Sequence, residues 1–88
     1  MPVYVGERYL PQAAEEVALA EAEQIRMAVR RLAAQGLPVR LVSTTFVPNE
    51  EWVFDLFEAE SAEQVRRVYD EGSVPVERVT EAVHLPGP

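Results

Sequence analysis

The sequence contains no cysteine and no lysine among its 88 residues. Without cysteine it cannot form a disulfide, a thiolate nucleophile, a zinc ribbon or an iron–sulfur cluster. Without lysine it supplies neither a Schiff-base amine nor the lysine of a phosphate-binding P-loop. Histidine occurs once, at His84, and the sequence shows neither a glycine-rich phosphate loop nor a Ser–His–Asp set. These absences exclude the enzyme classes that depend on those groups.

Positive charge is also scarce. Eight arginines stand against 15 acidic residues, for a net charge of −7. Such a surface repels phosphate backbones and anionic lipids, so we expect neither nucleic acid nor a membrane as a partner. No apolar run approaches the roughly 20 residues of a membrane helix. The start, Met1-Pro2-Val3-Tyr4, lacks a basic and an apolar region, so we expect no signal peptide and a cytoplasmic location.

The hydrophobic periodicity predicts six elements in one domain over residues 1–88. Alternation predicts strands over residues 3–10, 39–47, 52–59 and 76–85. A helical period predicts a helix over residues 12–35, with Pro11 in its first turn and Gly36 after its end. The capping box Ser61-Ala62-Glu63-Gln64 predicts a second helix that begins near Ser61 and ends at Gly72.

The order βαββαβ predicts a ferredoxin-like α+β fold. Right-handed crossovers would place both helices on one face of a four-stranded antiparallel sheet. The other face would then be bare, and we expect a second copy to cover it, giving a homodimer.

The parity of each strand predicts which residues share a sheet face. We expect the most apolar set to face the helices and the more mixed set to face the open side, unless a bulge reverses part of the assignment. The mixed set consists of Tyr4, Arg8, Thr44, Phe46, Asp55, Phe57, Thr80 and His84.

Asp55 is the most informative residue, because aspartate is disfavoured inside a strand. It lies within Trp52-Val53-Phe54-Asp55-Leu56-Phe57, and only one other aspartate occurs in the chain. Its carboxylate must be hydrogen-bonded, paired or protonated. One interpretation is a buried pair with Arg8 that sets the strand register. The other is an acid/base group or ligand anchor in a cavity.

Two further polar residues are candidates. Glu7 and Arg8 are adjacent in a strand and point to opposite faces, so one of them should pair at a rim. His84 lies at the end of the last strand. We consider two interpretations, an ordinary exposed side chain and a catalytic residue.

Several segments together resemble a small bacterial family of unknown function over nearly the whole chain. They are VGERYLP at residues 5–11, VRL at 39–41, STTFVP at 43–48, FDLFEA at 54–59, SAEQVR at 61–66 and VERVTEAV at 76–83. That family is similar to a nickel-binding ferredoxin-like protein that forms a dimer. The resemblance therefore implies a homodimer with a barrel-like interior between two sheets, the dimeric α+β barrel, and suggests nickel as a cofactor.

This sequence departs from the family where metal ligands would be expected. Family members commonly carry cysteine where Asp55 stands, and some carry histidine near Thr44 or Thr45, whereas this chain has neither. Because nickel favours imidazole and sulfur donors, we expect no tightly bound nickel and no other cofactor. Asp55 keeps an anionic group at that position, as a hard-ligand donor, a hydrogen-bond acceptor for an organic ligand, or a general base.

Three functions remain open. The first is a dimeric binding module whose inter-sheet cavity holds a small organic molecule, or weakly a metal, with Asp55 and Arg8 as polar anchors. The second is a small cofactor-free isomerase or cyclase, with Asp55 as general acid/base and Arg8 or His84 stabilising an oxyanion. The third is a purely structural or partner-binding dimer. The predicted ligand-binding residues are Tyr4, Glu7, Thr44, Phe46, Phe57 and Thr80.

Overall fold

The fold has six elements in the predicted order. A computed structural model describes residues 1–12 and 14–88. The elements are β1 (Val3–Tyr9), α1 (Glu15–Ala34), β2 (Arg40–Val47), β3 (Trp52–Glu58), α2 (Ala62–Gly72) and β4 (Arg78–Ala82). The strands form one antiparallel sheet in the order β2-β3-β1-β4, and both helices cover the same face of it. The predicted ferredoxin-like α+β fold is confirmed.

Helix α1 begins later than predicted. Its buried stripe consists of small and branched residues at helical spacing, and its acidic first turn and basic last turn suit the helix dipole. The predicted start at residue 12 is wrong, because Gln12 has a φ of 55° that no helix accommodates. The backbone N–H of Gln12 donates instead to the carboxylate of Glu51, at 2.6 Å. Part of the predicted start, Ala13, lies outside the described residues.

Helix α2 follows its predicted signals closely. The Ser61 hydroxyl accepts a hydrogen bond from the backbone N–H of Gln64 at 3.3 Å, as a capping residue should. The helix ends at Gly72, and Ser73 takes the left-handed conformation that closes it. Gly72 also lies close to α1, since an added Cβ would come within 3.2 Å of the Gln24 carbonyl oxygen.

Strand β4 is shorter than the predicted residues 76–85. Val3 pairs with Ala82, and β1 begins at Val3. Residues beyond Ala82 therefore have no strand to pair with on that side. At the other end Glu77 donates one backbone hydrogen bond to the Glu7 carbonyl oxygen, at 2.8 Å, before the regular strand begins.

The two sheet faces are assigned the opposite way from the prediction. Six of the eight residues predicted for the open side face the helices, and only Thr80 faces the open side as predicted. The six are Tyr4, Arg8, Thr44, Phe46, Asp55 and Phe57. A cavity between the open faces of two copies would therefore not be lined by them.

The physical reason lies in the polar pair itself. On the helix side Arg8 and Asp55 bind each other, and they also bind Glu21 of α1 and Tyr69 of α2. Among the described residues, no buried side-chain polar atom is therefore left without a hydrogen bond. Strand β2 also carries a bulge between Leu41 and Ser43, which changes its parity and places Leu41 on the same face as Thr44.

Candidate functional site

The carboxylate of Asp55 accepts four hydrogen bonds beneath the helices. Its Oδ2 accepts from Arg8 Nε at 2.7 Å and from the Tyr69 hydroxyl at 2.6 Å. Its Oδ1 accepts from the Thr44 hydroxyl at 2.8 Å and from a terminal nitrogen of Arg8 at 3.2 Å. Each oxygen thus receives two donors, which fills the roughly four lone-pair positions of a carboxylate. Asp55 is 0% exposed.

Arg8 connects this carboxylate to helix α1. Its other terminal nitrogen donates to Glu21, a half-buried residue of α1. Burial by itself lowers the pKa of Arg8, but the hydrogen bond to Asp55 and the negative charges of Asp55 and Glu21 outweigh it and raise that pKa. The guanidinium therefore stays charged between two carboxylates, and this one cation ties β1 to β3 and to α1.

Tyr69 connects the same carboxylate to helix α2, and Gly6 makes room for it. Gly6 pairs with Asp55 across β1 and β3, and an added Cβ at Gly6 would lie 1.8 Å from the Tyr69 hydroxyl oxygen. Burial raises the pKa of the Tyr69 phenol well above its usual value, and the charge of Asp55 and the hydrogen bond to it raise it further. Tyr69 is therefore a neutral donor at any ordinary pH.

We call Arg8, Glu21, Thr44, Asp55 and Tyr69 the buried network. Its chemistry is that of a closed, satisfied cluster: the Asp55 carboxylate has no acceptor position left for a substrate proton and no exposed surface. A general base needs hydrogen-bond access to the proton it removes. The predicted pairing of Asp55 with Arg8 is present, and this geometry favours the structural interpretation of it.

A groove of about 280 Å³ lies directly beside the network, between α1 and the edge strand β2. On the helix side the small side chains of Ala18 and Ala22 leave the space open. On the strand side Phe46 forms the wall. Thr44 belongs to both features, because it lines the groove while its hydroxyl donates to Asp55. The complete lining is Glu15, Ala18, Leu19, Ala22, Arg26, Thr44, Phe46 and Pro48.

The open sheet face presents a different surface. Phe54 is exposed, and the Tyr9 and Trp52 rings lie 5.4 Å apart at one end of the face. Glu7 pairs with Arg78 at 2.7 Å on this side, which is the rim pairing that the Glu7-Arg8 dipeptide predicted. Thr80 is exposed beside Val5, on the same face.

The structure brings together only part of the predicted site. Arg8, Asp55 and Thr44 are in direct contact, and Phe46 lies next to them in the groove. Tyr4 and Phe57 are buried in the hydrophobic core between sheet and helices. Glu7 and Thr80 lie on the opposite sheet face, and His84 is exposed beyond the end of β4, so none of these three approaches the buried network.

Three residues of the network's surroundings were missed as site residues. They are Tyr69, Glu21 and Gly6, none of which is among the residues predicted for the site. Two of the three carry a signal in the sequence. Glu21 adjoins Ala22 of the apolar stripe, and Gly6 interrupts a strand whose other residues have side chains to pack. The signals become specific only once Asp55 is known to face the helices.

The fold and the buried network define a small α+β domain of the ferredoxin-like class. The family model described as "Nickel responsive protein SCO4226-like" matches residues 4–82. The chain therefore belongs to this family, as the resemblance in the sequence suggested.

A solved structure supports the same fold. The crystal structure of SCO4226 from Streptomyces coelicolor A3(2) has a TM-score of 0.69 and 14% sequence identity, covering 96% of this chain and 99% of that one. No curated protein matches the chain. Within the described residues, neither helix combines the length and the apolar character that a bilayer crossing demands.

The residues present do not fit a nickel site. The chain has no cysteine, and its one histidine lies in the exposed segment after β4. Asp55, at the position where the family resemblance implies cysteine, already accepts four hydrogen bonds. Across residues 1–12 and 14–88, no three acidic or histidine side chains are grouped closely enough to hold a metal ion. The imidazole and sulfur donors that nickel prefers are therefore missing from the network.

Proposed function

We propose that this protein is a homodimeric, non-enzymatic module that binds a small organic molecule in the groove between α1 and β2. The observation that carries the proposal is the groove itself, which has a mainly apolar lining with charged groups at its ends and one wall fixed by the buried network. Small-molecule sites are concave and mostly apolar, with a few placed polar groups.

The buried network supports this function by holding the groove in shape. Thr44 is fixed by its hydrogen bond to Asp55, and Arg8 ties Asp55 to α1 through Glu21. The strand side and the helix side of the groove are thus connected by polar contacts that leave little freedom to collapse. A preformed site binds more tightly because less conformational entropy is lost on binding.

The binding test adds decanol or decanoate, two probes of equal chain length. Binding is detected through the amide chemical shifts of the labelled protein. We expect shifts at groove residues such as Leu19 and Phe46, with Leu19→Gln weakening the affinity about five-fold through lost apolar contact. Val17→Gln is the matched control, because Val17 is also an exposed apolar residue of α1 but does not line the groove. Absence of binding by both probes, or shifts confined to the open sheet face, would contradict the proposal.

The open sheet face supports the dimer. Val5, Phe54 and Leu56 form an apolar patch on its inner strands β1 and β3. Beside this patch Glu7 of β1 pairs with Arg78 of the edge strand β4. Protein interfaces usually combine an apolar centre with a polar rim, and most homo-oligomers pair the same patch of two subunits about a two-fold axis. We therefore assign this face to a second copy of the chain.

Sedimentation equilibrium tests the dimer. Phe54→Glu puts a charge at the centre of the proposed interface, so we expect it to convert a dimer into a monomer. Met27→Glu is the control, because Met27 is an exposed apolar residue on helix α1, away from the open face. A monomeric wild type, or a Phe54→Glu variant as dimeric as the control, would overturn the assignment.

A further inference from the structure

We propose that the ligand of this groove is an amphipathic carboxylate, whose apolar chain lies in the groove and whose head group is held by Arg26, Arg30 and Arg40. This inference rests on the proposed function and adds the chemical class of its ligand. It starts from a second cavity, of about 220 Å³, which continues along α1 and β2.

The two cavities adjoin at Arg26, which lines both of them. The second cavity is otherwise formed by Val29 and Arg30 of α1 and by the start of β2, namely Arg40, Leu41 and Val42. Arg26 and Arg30 are four residues apart and share one helix face, and Arg40 approaches from the strand. The apolar groove alone is just below the range of roughly 300–1,000 Å³ that small-molecule pockets occupy, and the second cavity adds space next to it on the other side of Arg26.

Charge gives the combined groove a direction. Three of the eight arginines of an acidic protein meet at one end, and Glu15 lies at the other. An anionic head group is attracted to the first end and repelled by the second. The apolar stretch between them, formed by Ala18, Leu19 and Phe46, suits a hydrocarbon chain.

The carboxylates near the arginines set the charge of the ligand. Arg26 pairs with Glu23 at 3.0 Å, and Arg40 pairs with Glu58 at 2.7 Å. Arg30 makes no salt bridge within residues 1–12 and 14–88. Three cations against two carboxylates leave one positive charge, which matches a monoanion. The planar guanidinium fork binds a carboxylate through two parallel hydrogen bonds, so a carboxylate fits Arg30 in shape as well as in charge.

The existing pairs do not block such a ligand. Arg26 and Glu23 are about half exposed, and Arg40 is more exposed still. Solvent-exposed ion pairs are weak, so either arginine can turn toward a bound head group without a large loss.

The test measures the affinities of decanoate, decanol and decyl phosphate by titration calorimetry, below the concentrations at which they form micelles. We expect decanoate to bind on the order of ten-fold more tightly than decanol, since one charge-assisted contact is gained. Arg30→Gln should remove most of that preference while leaving the affinity for decanol unchanged. Arg66→Gln is the matched control, since Arg66 is a half-exposed arginine of α2 outside both cavities.

The outcomes separate this inference from the function on which it rests. If decanoate and decanol bind equally, the head-group assignment is wrong and the apolar binding site stands. If neither decanol nor decanoate binds, both proposals fail together. Tighter binding of decyl phosphate than of decanoate would overturn the choice of a monoanionic carboxylate, and an unchanged decanoate preference in Arg30→Gln would overturn the assigned arginine.

Discussion

Removing the carboxylate of Asp55 should destabilise the protein severely. Asp55→Ala leaves the Arg8 cation buried without its main partner, and it also removes the acceptor of the Thr44 and Tyr69 hydroxyls. Breaking a buried ion pair by deleting one partner costs about 3–5 kcal/mol. A domain of this size has a free energy of unfolding of about 4–13 kcal/mol, so the variant would lose a large share of it.

Urea unfolding followed by the fluorescence of Trp52, the one tryptophan, measures this loss at a fixed protein concentration. Asp70→Ala is a matched control, because Asp70 is the other aspartate of the chain and is exposed on α2. We expect a change within about 0.5 kcal/mol for the control.

Should Asp55→Ala fail to fold, Tyr69→Phe provides a milder measurement. It removes one donor to the carboxylate, at 2.6 Å, and we expect it to cost about 1.5–3 kcal/mol. A loss below about 1 kcal/mol in Asp55→Ala, or none in Tyr69→Phe, would refute the argument that the network stabilises the fold.

Three further predictions concern the surroundings of the network. Gly6→Ala places a Cβ against the Tyr69 hydroxyl, so we expect a loss of about 1–3 kcal/mol in urea unfolding, and Tyr69→Phe should make the double variant less unstable than the sum of the two single changes. Strict additivity would mean that the two residues do not meet. Because burial raises the pKa of Tyr69 in the folded state, the unfolded chain loses this proton first, and stability should fall as pH rises above about 10, by up to about 1.4 kcal/mol per pH unit. In Tyr69→Phe the free energy of unfolding should fall less steeply with pH in this range, and an equally steep fall would contradict the burial argument. Ser61→Ala removes the cap of α2 and should cost about 1 kcal/mol by thermal or urea unfolding, whereas Ser61→Thr should keep most of the stability.

Much of the fold was predictable because local signals agree with one another. The capping box at Ser61 and the left-handed glycine at Gly36 each mark a helix end correctly. The start of α1 was not predictable, since Gln12 is held by Glu51, which is 39 residues away in sequence. Local periodicity contains no information about such a contact.

The candidate site was predictable only in part. Asp55 stands out in a hydrophobic strand, and Arg8 is its nearest basic candidate on a neighbouring strand, so their pairing followed from the sequence. The face of the sheet that buries them did not follow, because Glu21 and Tyr69, which come from the two helices, are needed to satisfy the pair. Neither helix residue is close to Asp55 in the sequence.

The sequence by itself determined the order of the elements, the antiparallel sheet with two helices on one face, and the set of groups available for chemistry. These follow from periodicity, capping residues and composition, which act over a few neighbouring positions. The tertiary structure decided which sheet face carries Arg8 and Asp55, and it placed three arginines from α1 and β2 around one groove. Both outcomes depend on how distant elements meet, because burial of a charge is tolerated only where partners from other elements converge on it.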